Sequence, residues 1–331
     1  MTTGLAWCGL QPDGDFRGTT LIEQTEITTP GQSRVTLRAQ RPGKTRIRLK
    51  LGDCTRHALQ SKCYADVMLS VPYFFFLDLR PEFIHDLARI GLARLSNPDG
   101  SPLTVQQENT TASAQAAVLR SALHVAERNL IGVNFRLLYH SAEAAVGAGN
   151  FGTVSIGGFT PPEVERSEYG VVIVDAAKRF KPDKPMAVFA GEFATSSRFR
   201  ESRAYRAIFD PLMDAEKAVD AGDVVPSGPV ASDRQFHIRA AIRAFGRFLG
   251  SVLAHEIAHA LFPFGAHERG SLMAPGGLTF EEKTGVTDFD ARRRIFVERT
   301  PIGFGPFYRE CLPSLFPTGE IVATDWARRP H

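Results

Sequence analysis

The chain has 331 residues, 43% of them hydrophobic, enough to bury one large core or two modest ones. Its 39 basic and 36 acidic residues leave a formal charge of +3, too balanced to argue for nucleic acid or an anionic membrane as partner. No run approaches the length of a transmembrane helix, and the start, MTTGLAWCGLQPDG, lacks both a basic leader and a long apolar core. Neither membrane insertion nor a conventional signal peptide is expected, so secretion would need prior processing or an unconventional route.

Residues 1–80 are expected to form a β-rich module, because from about 15 onward short alternating runs are broken by turn signals. SRVTLRAQRPGKTRIRLKLG at 33–52 reads as two strands joined by a Pro-Gly turn. That stretch resembles the later strands of bacterial immunoglobulin-like domains. The resemblance implies an all-β, sandwich-like module that positions or tethers a partner domain. Four cysteines are few for a disulfide scaffold; Cys54 and Cys63 are the expected pair, and with His57 they also form a three-donor cluster.

Beyond Pro81 a strand is expected at Arg89–Leu95, then a turn around Asn97–Gly100. Ala116, Leu119, Leu123, Ala126 and Leu130 recur at helical spacing and predict a helix over 112–130. VNFRLLYH at 133–140, GVVIVDA at 170–176 and MAVFAGEF at 186–193 read as strands. If MAVFAGEF lies at a sheet edge, its free backbone groups can pair with an extended peptide. GAGNFGTV at 147–154 has the spacing of a kinase-like phosphate loop, but no HRD or DFG follows, so a glycine-rich hairpin or surface loop is expected.

A long helix is predicted from 233 to about Leu261. Ser232 and Gln235 make a Ser-x-x-Gln capping box at its start, and Phe245, Phe248, Leu249, Val252 and Leu253 recur along one side. Arg239, Arg243 and Arg247 populate a more polar side, and Pro263 ends the helix. Its last turns hold His255, Glu256 and His259. Histidines four apart stand one above the other on one helical face and can share an ion, while the glutamate between them can deprotonate a metal-bound water without ligating. Gly265 permits a turn that brings His267 back as a third ligand. Three neutral imidazoles suit a catalytic Zn2+ with an open fourth position.

HEIAHALFPFGAHERGSLMAP at 255–275 resembles the metzincin clan of zinc metallopeptidases, with the SLMAP segment similar to the methionine turn of the matrixin branch. The resemblance implies an α+β zincin-like catalytic domain over residues 81–331: a mixed twisted sheet, a long active-site helix and a methionine turn. It implies one catalytic zinc on His255, His259 and His267, Glu256 as general base, and Met273 as a packed floor beneath the metal. The implied activity is endopeptidase cleavage of protein or peptide substrates by a chain acting as a monomer. Seven residues separate His259 from His267 where the family motif has five, and Glu268 is a substitute third ligand. The segment 197–231 exceeds the family's usual link, so an insertion is expected. Where some metzincin branches carry a tyrosine two residues past the turn methionine, this chain has Pro275. No motif speaks for structural Ca2+.

Phe262, Phe264, Leu278 and Phe280 surround the turn and are candidates for an apolar side-chain pocket, or for plain core. WCGLQPD at 7–13 invites comparison with a matrixin cysteine switch through Cys8, but it has one extra residue and no preceding arginine. Two alternatives stand. A gluzincin-type hydrolase would take its third ligand from Glu281 or Glu282, and a non-catalytic adhesion protein would use zinc as a structural staple.

Overall fold

A computed structural model describes residues 73–138, 151–162, 169–171, 186–214, 216–220, 223, 229–230, 232–261, 267–274, 278–306 and 308–309, together with the strand backbones at 7–12, 20–29, 32–39, 43–51 and 64–71. The fold is mixed α and β, in keeping with the α+β class, and its largest sheet contains parallel and antiparallel pairs. The chain divides into two compact units: Met1–Phe76 with Gly132–Phe151 and Pro313–His331, and Leu77–Ile131 with Gly152–Leu312.

The first unit opens with five strands, β1 (Trp7–Pro12), β2 (Thr20–Thr29), β3 (Gln32–Ala39), β4 (Gly43–Leu51) and β5 (Tyr64–Val71). SRVTLRAQRPGKTRIRLKLG supplies β3 and β4, yet the two are not hairpin partners. β3 pairs antiparallel with β2, whereas β4 pairs antiparallel with β1 and β5. A sixth strand, β6 (Tyr73–Leu79), runs from this unit into the second.

The second unit then forms two helices, α1 (Glu82–Arg89) and α2 (Val105–Asn129). α1 corrects the strand expected at Arg89–Leu95. Phe83, Leu87 and Ile90 follow helical spacing and are buried, and the run after them is a turn at Gly91, whose φ of +73° ends the helix. α2 begins seven residues before the predicted 112. Its first two turns are polar and carry no apolar stripe, but Thr104 and Gln107 form a capping box that fixes the start. The turn at Asn97–Gly100 is present, closed by Gly100 N donating to Asn97 O at 2.9 Å.

Strand β7 (Phe135–Leu138), in the first unit, pairs in parallel with Tyr73–Phe76 of β6. In the second unit β8 (Phe151–Ile156), β9 (Gly170–Val171) and β10 (Met186–Val188) complete a sheet ordered β6, β8, β10, β9. β10 is parallel to β8 and antiparallel to β9, so MAVFAGEF is not an edge strand. Met186, Ala187 and Val188 are buried between two neighbours, and the segment turns after three residues into the short helix α3 (Gly191–Thr195). Among the described residues the edge beside β10 is β9.

The long segment expected as an insertion contains α4 (Ser197–Arg200) and α5 (Arg203–Met213), each started by a serine hydroxyl accepting from a backbone N–H. Both helices are built into the core. Phe193 stands within 4.8–5.4 Å, ring centre to ring centre, of Phe199, Tyr205, Phe209, Phe245 and Phe248. Each such aromatic pair adds about 0.5–1.5 kcal/mol beyond area burial.

The central element is α6 (Asp233–Leu261), started as the sequence predicts, with Gln235 N donating to Ser232 Oγ at 3.2 Å. It lies against α2 along a seam of small residues. A Cβ at Gly246 would come within 2.8 Å of Val118 O, and one at Gly250 within 2.7 Å of Val125 Cβ, so glycine lets the backbones approach. On the polar side Arg243 and Arg247 both reach Glu298, at 2.7 and 3.0 Å. Helix α7 (Phe280–Thr284) and a hairpin of β11 (Val286–Asp290) and β12 (Ile295–Glu298) follow. No helix among the described residues is long and apolar enough to cross a membrane.

Candidate metal centre

The last turns of α6 set His255 and His259 one above the other, with ring centres 4.6 Å apart. Residues 262–266, with Phe262 and Phe264, lie outside the described residues. His267 is described, and its ring stands 4.9 Å from His259 and 5.7 Å from His255. One ligand atom from each of the three imidazoles lies within 4.8 Å of the other two; the helical pair is partly buried and His267 is exposed.

The protonation states suit a cation. Burial, aided by the neighbouring His259, holds His255 well below the usual imidazole range, and burial with His267 alongside brings His259 down to about 4. Both are neutral at pH 7. His255 Nδ1 lies 2.8 Å from Leu272 O, and because a carbonyl only accepts, the neutral ring donates from Nδ1 and leaves Nε2 bare. That Nε2 is 3.0 Å from His259 Nε2. Nitrogens bound tetrahedrally at about 2.0–2.1 Å stand roughly 3.3 Å apart, so the pair fits the span of a small ion that prefers imidazole.

The turn that follows His267 is braced internally. Glu268 N donates to Met273 O, Ser271 Oγ donates to Glu268 O at 2.8 Å, and Met273 N donates to Ser271 Oγ. Leu272 N donates to Gly303 O at 2.8 Å, which ties the turn to the segment beyond β12. Met273 is fully buried. The Glu268 carboxylate packs against Gly305, where any Cβ would overlap it, and Glu268 is not in the histidine cluster. Glu282 caps α7, accepting from Thr279 N at 2.7 Å, and neither it nor Glu281 is in the cluster. Leu278 and Phe280 are buried, with Phe280 among the rings of Phe199, Tyr205 and Phe209, so these two are core and not an open pocket.

Glu256 is 5% exposed and directed into the second unit. Two residues that carry no motif crowd it or act on it. Gly170 of β9 sits so close that an ideal Cβ there would be 2.6 Å from Glu256 Oε1. Lys283 of α7 buries its ammonium over the rings of Tyr169 and Phe248, at 5.0 and 5.7 Å. Burial pushes this lysine down to about 8, while the Glu256 charge pulls the other way. The helical spacing of Phe280 with Lys283 and Thr284 behind a capping box placed Lys283 on a buried face, and that was the one sequence signal for it.

Cys54, His57 and Cys63 lie outside the described residues, as do the Cys8 side chain and residues 147–150 of the glycine-rich run; Phe151–Val154 of that run fall in β8. No family model, curated protein or solved structure matches the chain.

Proposed function

We propose that the chain is a zinc-dependent endopeptidase with a metzincin-like catalytic domain, carried beside an immunoglobulin-like module formed by the N-terminal strands. The observation that carries this reading is the convergence of His255, His259 and His267 beside a buried glutamate at the end of a long helix. A structural staple has no need of that glutamate. The sheet with its antiparallel edge strand β9 and the buried methionine of the turn also support it.

The three imidazoles would hold the ion, His255 and His259 in the neutral form they already adopt. A bound zinc supplies Lewis-acid polarisation of the scissile carbonyl and acidifies a water molecule. Glu256 would serve as the general base, accepting a proton from the attacking water and passing it to the departing amine, with no covalent intermediate. β9 is the strand that an extended substrate could extend, in place of MAVFAGEF, because among the described residues it is the edge beside β10 and it approaches Glu256.

The test is zinc stoichiometry measured alongside cleavage of an unfolded protein, with chelator and E256Q controls. One zinc per chain is expected, with turnover falling by about 100-fold or more in E256Q while zinc is kept. Full activity of E256Q would falsify the mechanism.

A further inference from the structure

The contact between Gly170 and Glu256 joins an edge strand to the proposed base, and it has no counterpart in the motif that names the site. An ideal Cβ on Gly170 would lie 2.6 Å from Glu256 Oε1, 2.8 Å from Cγ and 2.9 Å from Cδ. These three nearest atoms all belong to one side chain, so the tightest approach is to the glutamate.

Neither backbone is free to give way. β9 pairs with β10 through Val171 opposite Ala187 and Gly170 opposite Val188. The residue before it, Tyr169, accepts from Phe189 N at 2.8 Å through its carbonyl. Its hydroxyl is 3.0 Å from Ser196 Oγ, and its ring stacks on Phe199 and meets Phe248 edge-on. On the other side Ile257 and Ala258 of α6 are fully buried. A packed interior transmits such a clash to its softest part, which here is the Glu256 side chain.

We propose that Gly170 is a positioning residue for Glu256: the missing Cβ leaves the one space in which the carboxylate can lie against β9, and any side chain there would turn the carboxylate away from the metal centre. The proposal rests on the peptidase reading for its kinetic consequence but not for its steric one. Gly170's φ is ordinary, so alanine introduces no backbone strain and the effect comes from the Cβ.

A double-mutant cycle on the full chain separates the two. G170A should lower the thermal midpoint in the Glu256 background and leave it unchanged or slightly raised in E256A, where the clashing atoms are gone. Kinetically, G170A should lose on the order of 100-fold in kcat with KM and bound zinc unchanged, as expected for an Å-scale misplacement of a base. If G170A folds only when combined with E256A, the steric claim stands. Equal loss of stability in both backgrounds, failure of both alanine variants to fold, or wild-type kcat in G170A overturns the proposal. A wild type that cleaves no protein removes the peptidase reading, while the stability cycle still decides the steric claim.

Discussion

Lys283 gives the sharpest test of how the buried surroundings of Glu256 are built. The residue is 7% exposed, its ammonium is set against the rings of Tyr169 and Phe248, and burial brings its pKa from the ordinary 10.5 down to about 8. A displacement of that size corresponds to about 3 kcal/mol of disfavoured charge, offset by up to about 2 kcal/mol of desolvated cation–π attraction. Below pH 8 the folded and unfolded chains both hold the proton, so the folded state carries the whole burden. Between 8 and 10.5 only the unfolded chain holds it, and wild-type stability climbs through that window. Replacing Lys283 with methionine keeps the length and apolar stem but removes the titration. Urea unfolding followed by helical circular dichroism, which reports the second unit, should show K283M about 1 kcal/mol more stable than wild type at pH 7. That advantage should shrink and reverse toward the upper end of the window. In an E256Q background the attraction that raises the lysine is lost, and the window should move down. Parallel stability curves for wild type and K283M from neutral to alkaline pH would refute the reasoning, since they would mean that Lys283 titrates alike in both states.

Gly250→Ala places a Cβ against Ala122 O and Val125 Cβ and should destabilise by about 1–3 kcal/mol despite the better helix propensity of alanine; a raised thermal midpoint would show that the seam between α2 and α6 has slack. Asp86→Ala removes the acceptor that Gly158 N meets at 2.7 Å and should lose about 1–3 kcal/mol in chemical denaturation, whereas Asp86→Asn keeps an acceptor and should lose less. Ser271→Ala removes the hydroxyl that bridges Glu268 O and Met273 N, and competition with a chelating dye should register roughly tenfold weaker zinc binding, as for other outer-sphere partners. Unchanged zinc affinity in that variant would detach the turn from the metal.

What the sequence made legible was local. Ser232, the apolar spacing from Phe245 to Leu253 and Pro263 bracket α6 because caps, periodicity and breakers act within a few residues. His255 and His259 come together for the same reason, through helical geometry alone. The misreadings arose where tertiary contacts decided. ARIGLARL looks like a strand by composition, yet Leu92 and Ala93 are buried in a turn that Gly91 opens against Leu212. MAVFAGEF looks like one strand, but it has neighbours on both sides and bends after Val188 to place Phe193 at the centre of the aromatic core. The start of α2 was missed because its first turns face solvent and their only signal was the Thr104–Gln107 cap. Gly170 carries no motif, because a close approach between residues 86 positions apart leaves no periodic trace, and the spacing of α7 marks the buried face that holds Lys283 but not the distant rings its ammonium lies over.

The turn at 267–274 does more than return a third imidazole. Leu272, one residue before the buried methionine, offers its carbonyl to His255 Nδ1, and this contact fixes the tautomer that leaves Nε2 bare. The segment that supplies His267 therefore also prepares His255, while α6 alone sets the separation of His255 and His259. Two of the three clustered imidazoles depend on one short turn, and that turn is held by its own serine and by Gly303 as well as by its contact with His255. An exposed third imidazole on such a turn explains how seven residues, including a proline, can intervene after His259 without dispersing the cluster. The Leu272 carbonyl brings the turn to His255 on the helix, and the Gly303 contact ties it to the segment beyond β12.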